Sequence, residues 1–462
     1  MRGLLVRFCQ LLLTIFFRRI EVVGKDLLPK DGALVFAGNH PSGLIDPLFI
    51  LCLSGRKISF LAKEPLFRMP FVSIFVKSFD CLPVYRSSDG GDPKKNREMM
   101  RAAVGLLRRG NALALFPEGI SHSDPALKRF RSGAARIALS ARALSDLQVN
   151  VVPSALYYES KETFRSRAVL AFGAPILVPL IALDEAENSP IEAGARLTRA
   201  IEQAVEALMP TAETAEGLIL AEQAERLIGA AIRDTPEKCP AALKILNERG
   251  RRPSLAARMR LRRRLIDGYR QWVVDDQVRV LDLVHRIEEV ENDLEELSLA
   301  IDAPPTDSKK LHVSVTWPGL LALALLPFAV VGILIHAPAY QLVRLLALRM
   351  ASNSVDIAAT VKLVGGLLLF PLTWLVVASV VYAQSSLTAA LLSLPLAITS
   401  AWTAMLFLSL TGRLRRRLAL KRGVLGAKVN WPELCARRAA LAEEMSALLE
   451  LRPLAQAPSS TQ

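Results

Sequence analysis

The chain has 462 residues, more than one ordinary domain needs, and 52% of them are hydrophobic, which favours membrane segments over a wholly soluble protein. A net charge of +14 suits an anionic partner such as a phospholipid headgroup, a phosphorylated substrate or nucleic acid, and charge alone does not choose among them. The five cysteines are scattered, so neither a disulfide framework nor a metal site is indicated and a reducing, cytosol-facing environment fits best.

The N-terminal segment, residues 1–19, carries an apolar run flanked by arginines and ending near Phe16 and Phe17. The run is too short to span a bilayer, and no small-residue cleavage site follows it, so removal as a signal peptide is not expected. We predict an amphipathic helix that lies in the membrane interface, with an ordinary core helix as the alternative.

Residues 20–180 read as an α/β domain, because short β-rich runs alternate with helical stretches. The runs are Ala33–Ala37, Ile58–Leu61, Ala112–Phe116, Val149–Pro153 and Ala168–Phe172.

Residues 189–303 change character, since Ala, Leu, Glu and Arg dominate and β-rich runs vanish. Apolar residues recur at spacings of three and four, which predicts a helical region with a coiled-coil-like hairpin or arm. These residues are Val280, Leu283, Val284, Ile287, Val290, Leu294 and Leu297. An arginine-rich stretch, 249–264, suits lipid headgroups or nucleic acid, or else forms a solvated helix face. Nucleic acid is the least favoured partner, because interleaved aromatic residues and a recognition module are missing.

After Pro304 and Pro305 come three apolar segments of spanning length, at about 315–335, 363–382 and 387–410, which predict a transmembrane region over 313–412. The basic residues that follow place the tail, 413–462, in the cytoplasm by the positive-inside rule, and the tail is predicted to contain an amphipathic helix. Three spans would put the α/β domain on the side away from thioester donors. We therefore consider 338–351 as a short or re-entrant fourth segment that restores parity.

The segment Asn39-His40-Pro-Ser-Gly-Leu-Ile-Asp46 carries the most chemistry, because it places a histidine near an aspartate after an apolar strand. An imidazole oriented by a carboxylate acts as a base near neutral pH. Asp46 would hold one ring nitrogen of His40 and leave the other to take a proton from an attacking hydroxyl, so no enzyme nucleophile is required.

Three further blocks follow in order: Leu82–Arg86, preceded by Ala62–Phe67, then Phe116–Gly119, then Val152–Leu156. With these blocks the sequence resembles the glycerolipid acyltransferase family, which includes glycerol-3-phosphate and lysophosphatidate acyltransferases. The resemblance implies an α/β acyltransferase fold in which His40 and Asp46 are catalytic. It assigns substrate binding to Arg86, Phe116, Pro117, Glu118 and Gly119, with Lys63 and Arg131 in supporting roles.

The planar guanidinium of Arg86 suits a phosphate group, and the carboxylate of Glu118 suits an acceptor hydroxyl. Five residues separate His40 from Asp46 here, whereas four is the commonest family spacing, and one extra helical residue would rotate the aspartate by about 100 degrees. The longer spacing resembles the fungal-type glycerol-3-phosphate/dihydroxyacetone-phosphate acyltransferase branch, as do Ile120–Ser123, Tyr157–Tyr158 and Phe172–Ile176. We read His122 as a turn residue in preference to a catalytic one.

The resemblance implies transfer of a fatty acyl group from acyl-CoA or acyl carrier protein to glycerol 3-phosphate or dihydroxyacetone phosphate, without a metal or organic cofactor. The alternatives are a lysophosphatidate or other lysophospholipid acyltransferase, and a membrane scaffold with a degenerate acyltransferase fold. Membrane lipids are the expected surroundings, nucleic acid is not an expected partner, and the active site is expected to face the cytoplasm. The oligomeric state is left open.

Overall fold

The computed structural model of the chain describes residues 2–69, 72–86, 90, 92–161, 163–183, 190–234, 236–246, 253–296, 316–351, 355–426 and 430–450. The predicted Pro304–Pro305 linker, Leu297 and the first residues of the arginine-rich stretch, 249–252, lie outside these ranges. The chain forms two compact units, one of Met1–Thr211 with Arg349–Leu363 and one of Ala212–Leu348 with Val364–Gln462.

The first unit contains an eight-stranded sheet in the order β1-β7-β6-β2-β5-β3-β4, with β8 paired to β6. Its strands are β1 (Arg19–Val23), β2 (Ala33–Gly38), β3 (Ile58–Lys63), β4 (Leu82–Val84), β5 (Ala112–Leu115), β6 (Val149–Tyr158), β7 (Arg167–Phe172) and β8 (Ile176–Leu177). The run β6-β2-β5-β3-β4 is parallel throughout, so the carboxyl ends of these strands share one edge. β7 and β8 are antiparallel to β6.

Helices cover both faces of the sheet. They are α1 (Arg2–Phe16), α2 (Ile45–Leu53), α3 (Val72–Ser78), α4 (Asn96–Arg108), α5 (Gly133–Ala143) and α6 (Ile191–Glu206). Leu34 and Phe36 of β2 pack in one apolar cluster with α1 and α2, whereas Val35 packs in the other with α4, α5 and α6. A strand that is buried on both faces needs apolar residues at nearly every position, which explains why residues 33–37 are all hydrophobic. The α/β fold class is confirmed.

The first unit is larger than the predicted 20–180 domain at both ends. On α1, Cys9, Leu13 and Phe16 are buried in the same cluster as α2, while Leu4 and Leu11 are exposed. The helix therefore belongs to the core, and an interfacial role for its exposed apolar side stays a prediction. α6, expected in the separate helical region, packs instead on the sheet, because its own apolar face completes the cluster of α4 and α5.

The second unit is helical. Its helices, in whole or in part, are α7 (Ala215–Asp234), α8 (Pro240–Leu246), α9 (Leu255–Asp275), α10 (Gln277–Glu296), α11 (Thr316–Ala351), α12 (Val355–Gln384), α13 (Leu387–Gly426) and α14 (Trp431–Glu450). The periodic residues of α10, such as Leu283 and Ile287, are buried against α7, α8, α9 and α14. These helices form a bundle and not a free coiled-coil arm, and α14, expected in the tail, is one of its members.

Two of the described arginines of the basic stretch face a buried carboxylate instead of solvent. Glu225 of α7 is buried and accepts hydrogen bonds from Arg258 Nε at 2.7 Å and from Arg262 Nη2 at 3.1 Å. Arg262 is itself buried. These two arginines therefore compensate the buried charge of Glu225, since a buried charge is tolerated when it is paired and hydrogen-bonded.

Among the residues that the structure describes, three helical segments are long and apolar enough to cross a membrane: Trp317–Met350, Thr360–Gln384 and Leu387–Arg415. This is the composition of a membrane protein. The prediction of a separate fourth segment at 338–351 is wrong, because these residues continue α11, whose interior prolines, Pro327 and Pro338, do not end the helix. Gly332 lies against α13 so closely that a Cβ would overlap the Ser400 carbonyl oxygen.

A polar pair joins two of these helices. Trp374 Nε1–H of α12 donates to His336 Nε2 of α11 at 2.9 Å, which leaves His336 Nδ1–H to donate to the Gly332 carbonyl oxygen at 2.7 Å. Both ring nitrogens of this buried histidine are therefore satisfied within the helices, which is a structural use of the residue.

Candidate active site

The predicted site residues follow the carboxyl ends of neighbouring parallel strands. His40 comes two residues after β2, Glu118 three residues after β5 and Arg86 two residues after β4. In open α/β sheets, ligands bind outside this edge, because the loops from several strands meet there. The sheet order therefore brings together residues that are far apart in the chain.

His40 and Asp46 form a hydrogen-bonded pair. His40 Nδ1 lies 2.8 Å from Asp46 Oδ2. The aspartate side chain is fully buried, whereas 16% of the histidine side chain remains exposed. With the ionised carboxylate accepting from Nδ1–H, Nε2 carries the free lone pair, and the exposed ring is the part that a substrate reaches.

The long spacing does not break the pair, because α2 begins only at Ile45 and the extra residue lies in the loop before it. Gly43 has a positive φ of 36°, and Ile45 N–H donates to the Ser42 carbonyl oxygen at 3.0 Å, so the loop closes as a turn. A rotation of about 100 degrees per residue applies to helical positions, and the loop is not helical.

Asp46 is held by two further donors. Ser42 N–H donates to Oδ2 at 2.7 Å, and Tyr158 O–H donates to Oδ1 at 2.6 Å. Burial, followed by the neighbouring Asp46 carboxylate, raises the pKa of Tyr158 well above its usual value, so the phenol stays a donor. The sequence signal for Tyr158 was the Tyr157–Tyr158 pair, but its contact with Asp46 depends on the pairing of β6 with β2 and was not predicted.

Asn39 fastens the loop that carries His40 to the sheet. Its Nδ2 donates to the Leu156 carbonyl oxygen at 2.9 Å, and its Oδ1 accepts from Leu156 N–H at 2.7 Å. The amide side chain thus extends the ladder between β2 and β6 by one position. Because Asn39 is buried and both its amide nitrogen and its amide oxygen are hydrogen-bonded to Leu156, it fixes the point at which the chain turns to present His40.

Phe116 orients the imidazole. Its ring stacks on His40 with centroids 4.1 Å apart and planes 7° from parallel. Next to it, the Pro117 carbonyl oxygen accepts from Arg131 N–H at 2.9 Å. The two residues therefore shape the site and hold its neighbouring loop.

Glu118 contacts the loop that carries His40, and its side chain is fully buried. Its Oε2 accepts from His40 N–H at 3.1 Å and lies 3.0 Å from His122 Nε2. Burial raises the pKa of Glu118, and His122 and His40 oppose that rise. Its Oε1 is buried and has no hydrogen-bond partner among the described residues. The interpretation of His122 as a turn residue missed this contact.

Gly119 brings two arginines together. Gly119 is the last residue of a turn in which its N–H donates to the Phe116 carbonyl oxygen, and it has a φ of +76°. Arg86 Nη1 donates to the Gly119 carbonyl oxygen, and a Cβ on Gly119 would lie 3.0 Å from Arg131 Cζ. Glycine is therefore required for the close approach as well as for the backbone angle. Both guanidinium groups adjoin the turn that carries Glu118.

Three other residues complete the description. Lys63, predicted to bind substrate, ends β3 and is exposed. Lys161, which sequence analysis missed, donates from Nζ to the Pro41 carbonyl oxygen at 2.9 Å and to Ser123 Oγ, so it joins the two loops of the site. Thr360, which belongs to the first unit, accepts from Leu44 N–H through Oγ1 at 3.3 Å.

No group of three or more histidine, cysteine or acidic side chains suited to a metal ion occurs among the residues that the structure describes. A cavity of about 210 Å³ lies within the second unit, lined by apolar residues of the bundle with Glu213, Thr214, Tyr269 and Arg270. It contains none of the predicted site residues.

Comparisons with known proteins agree on one family. The Acyltransferase family model matches residues 19–157. Glycerol-3-phosphate O-acyltransferase 2 of Saccharomyces cerevisiae is 27% identical over 300 residues, which are 60% of this chain and 37% of that protein. The 1-acyl-sn-glycerol-3-phosphate acyltransferase of Bacillus subtilis is 30% identical over 162 residues, which are 34% of this chain and 73% of that protein.

The match to the first yeast relative thus spans little more than a third of its length. Among solved structures, the 1-acyl-sn-glycerophosphate acyltransferase PlsC of Thermotoga maritima matches 45% of this chain and 79% of that chain, with a TM-score of 0.34 and 19% identity. The family model covers the His40–Asp46 pair and all the later blocks, and the Bacillus relative is matched over most of its length. This chain belongs to the glycerolipid acyltransferase family.

Proposed function

We propose that this chain transfers a fatty acyl group from a thioester, acyl-CoA or acyl carrier protein, to a hydroxyl group of glycerol 3-phosphate or dihydroxyacetone phosphate. The observation that carries the proposal is the His40–Asp46 pair, in which a partly exposed imidazole is held at 2.8 Å by a fully buried carboxylate. No metal or organic cofactor takes part in this chemistry.

In the proposed reaction His40 acts as a general base. Its Nε2 takes the proton of the acceptor hydroxyl while that oxygen attacks the thioester carbonyl carbon, and Asp46 stabilises the imidazolium that forms. The tetrahedral intermediate then collapses, the carbon–sulfur bond breaks, and the thiolate receives the proton from His40. The products are an ester and a free thiol.

Charge and hydrogen bonding around Gly119 support a phosphate-bearing acceptor. Arg86 and Arg131 place two guanidinium groups at this turn, and a guanidinium binds phosphate through paired N–H donors. Glu118 Oε1, which lacks a partner among the described residues, is available to a hydroxyl of the acceptor. Together these groups would hold the acceptor beside His40.

The relatives divide on the acceptor. Two Saccharomyces cerevisiae proteins named glycerol-3-phosphate O-acyltransferase match this chain, and one of these matches extends over 60% of it. The Bacillus subtilis relative is named for 1-acyl-sn-glycerol-3-phosphate and matches 34% of it. The longer match and the His40–Asp46 spacing favour glycerol 3-phosphate, and lysophosphatidate is the second candidate.

A membrane location suits an enzyme whose donor and product carry long acyl chains. The three apolar helices found among the described residues supply the anchor. We propose that the site faces the cytoplasm, where acyl thioesters are made.

The test is acyl transfer from labelled acyl-CoA in membranes that contain the wild-type chain or His40→Ala, with glycerol 3-phosphate, dihydroxyacetone phosphate and lysophosphatidate as parallel acceptors. His285→Ala is the matched control, because this exposed histidine of α10 pairs only with Glu289 in the described contacts. We expect labelled product with glycerol 3-phosphate that disappears in His40→Ala and persists in His285→Ala.

Activity on lysophosphatidate alone would mean that the chain adds the second acyl group, and not the first, to the glycerol phosphate. Transfer that does not depend on His40, or no transfer to any acceptor from acyl-CoA or acyl carrier protein, would contradict the proposal and favour a scaffold built on an acyltransferase fold.

A further inference from the structure

The His122–Glu118 contact is not used by the reaction described above. The His122 side chain is only 10% exposed, and its Nε2 lies 3.0 Å from Glu118 Oε2. The backbone ties the same residues together, because His122 N–H donates to the His40 carbonyl oxygen at 3.1 Å while His40 N–H donates to Glu118 Oε2. Catalytic histidine, buried carboxylate and second histidine thus form one closed network.

The tautomer of neutral His122 follows from its other nitrogen. Asp124 N–H lies 3.2 Å from Nδ1, so in the neutral ring Nδ1 accepts and the proton is on Nε2, directed at Glu118. In the protonated ring Nδ1–H faces Asp124 Oδ2 at 3.5 Å, and Nε2–H keeps the same direction. Lys161 holds the loop in place, since its ammonium group bonds both to Pro41 and to Ser123, the residue after His122.

The two carboxylate oxygens of Glu118 therefore have different surroundings. Oε2 receives the His40 N–H and His122 Nε2–H donors, whereas Oε1 has no partner among the described residues. A buried acceptor without a donor is unfavourable, so Oε1 would accept a hydrogen bond from a hydroxyl group of a ligand.

We propose that His122 is a positioning residue for the acceptor: by holding Oε2 of Glu118 it presents Oε1 to a hydroxyl group of the glycerol-phosphate-type substrate. This inference rests on the proposed acyltransferase function. It predicts that His122 affects acceptor binding through Glu118 and not the proton transfer at His40.

The charged groups around Glu118 set the expected pH dependence. His40 faces it from the loop after β2 and His122 from the loop after β5. Arg86 and Arg131 adjoin Gly119, Asp124 lies beside His122, and Lys128 pairs with Asp124. Both histidines lower the pKa of Glu118 against the effect of burial. Removing His122 therefore raises that pKa, and since the ionised carboxylate is the form that accepts, activity is lost at a higher pH as the solution is acidified.

Two substitutions of similar polarity separate the roles. In His122→Gln the amide nitrogen takes the place of Nε2 and still donates to Glu118, whereas in His122→Asn the shorter amide does not reach it. We expect His122→Asn to raise the KM for glycerol 3-phosphate by about tenfold or more, since a hydrogen bond to a charged group is worth about 1.5–3 kcal/mol. In His122→Asn we expect kcat to change less than KM, and we expect the fall of kcat/KM on the acidic side of its pH profile to occur at a higher pH. In His122→Gln we expect KM, kcat and the pH profile to stay near those of the wild type.

The matched control is His285→Asn, which removes another histidine that pairs with a glutamate four residues away, but on the exposed side of α10. A double-mutant cycle with Glu118→Gln gives the decisive readout. If His122 acts through Glu118, adding His122→Asn to Glu118→Gln raises KM no further. If His122→Asn does not fold, His122→Ala takes its place in the same cycle.

An unchanged KM and acidic limb in His122→Asn, or effects that add fully in the cycle, would overturn the positioning role while leaving the proposed function intact. The proposed function fails separately, through a wild-type chain without His40-dependent transfer.

Discussion

Replacing Asp46 by asparagine removes the charge of the proposed catalytic pair but not its geometry. Ser42 N–H and His40 Nδ1–H both point at Oδ2, so the amide oxygen is selected for that position and the amide NH₂ faces Tyr158. The Tyr158 hydroxyl then turns from donor to acceptor. Asp46→Asn should therefore fold and keep His40 in the same tautomer.

What Asp46→Asn loses is the attraction between the carboxylate and the imidazolium that forms in the transition state. At the 2.8 Å separation of His40 Nδ1 and Asp46 Oδ2, an effective dielectric constant of about 20 gives an upper bound of about 6 kcal/mol. Because His40 is partly exposed, we expect about half of that, which is a loss of roughly 100- to 200-fold in kcat.

The assay is kcat at saturating glycerol 3-phosphate with labelled acyl-CoA, together with the KM for the acceptor and the melting temperature in detergent. KM should stay within about threefold, since Glu118 and Arg86 are untouched. Asp80→Asn is the control, because Asp80 is a mostly exposed surface carboxylate paired with Arg2. A kcat within threefold of wild type, or a loss of activity that merely follows unfolding, would refute the reasoning.

Three further predictions concern the turn at Gly119, the buried ion pair of Glu225 and the hydrogen bond between Trp374 and His336. Gly119→Ala should raise the acceptor KM by about tenfold in the same assay, because a left-handed φ costs about 1–2 kcal/mol and the new Cβ presses on the Arg131 guanidinium; an unaltered KM would show that this turn does not shape the acceptor site. Glu225→Gln should lower the free energy of unfolding by about 3–5 kcal/mol, because it removes the buried negative charge that faces Arg258 and Arg262 of α9; denaturant titration by circular dichroism checks this, and a loss below 1 kcal/mol would contradict it. Trp374→Phe should lower the free energy of unfolding by only about 0.6 kcal/mol, because it removes the hydrogen bond to His336. Unfolding in detergent micelles measures this, and a loss above about 2 kcal/mol would mean that the indole contributes mainly through packing and not through its hydrogen bond.

Some features were predicted because they are local. The His40–Asp46 pair and the turn at Phe116–Gly119 lie within single short segments, so residue type and spacing were sufficient to identify them. The apolar helices were equally direct, since a continuous hydrophobic run of spanning length has few other uses. The prediction of a re-entrant segment failed for a related reason: two arginines and one proline, Pro338, interrupt the hydropathy of 338–351 but do not break α11.

Amphipathic helices were harder to place, because an apolar stripe predicts that a helix buries one face but does not identify the partner. The stripe of α10 was predicted correctly, yet it packs against a bundle that includes α14, more than a hundred residues later. The same uncertainty placed α6 in the helical region, although its stripe completes the core of the α/β domain.

The sequence by itself determined the α/β class, the membrane helices and the chemistry-bearing pair, because each depends on a pattern within one short stretch of chain. Only the tertiary structure decided which side chains surround that pair. Tyr158 reaches Asp46 because β6 lies beside β2, and Arg86 meets Gly119 because β4 and β5 both flank β3. Sheet order is set by packing across the whole domain, and no single segment encodes it.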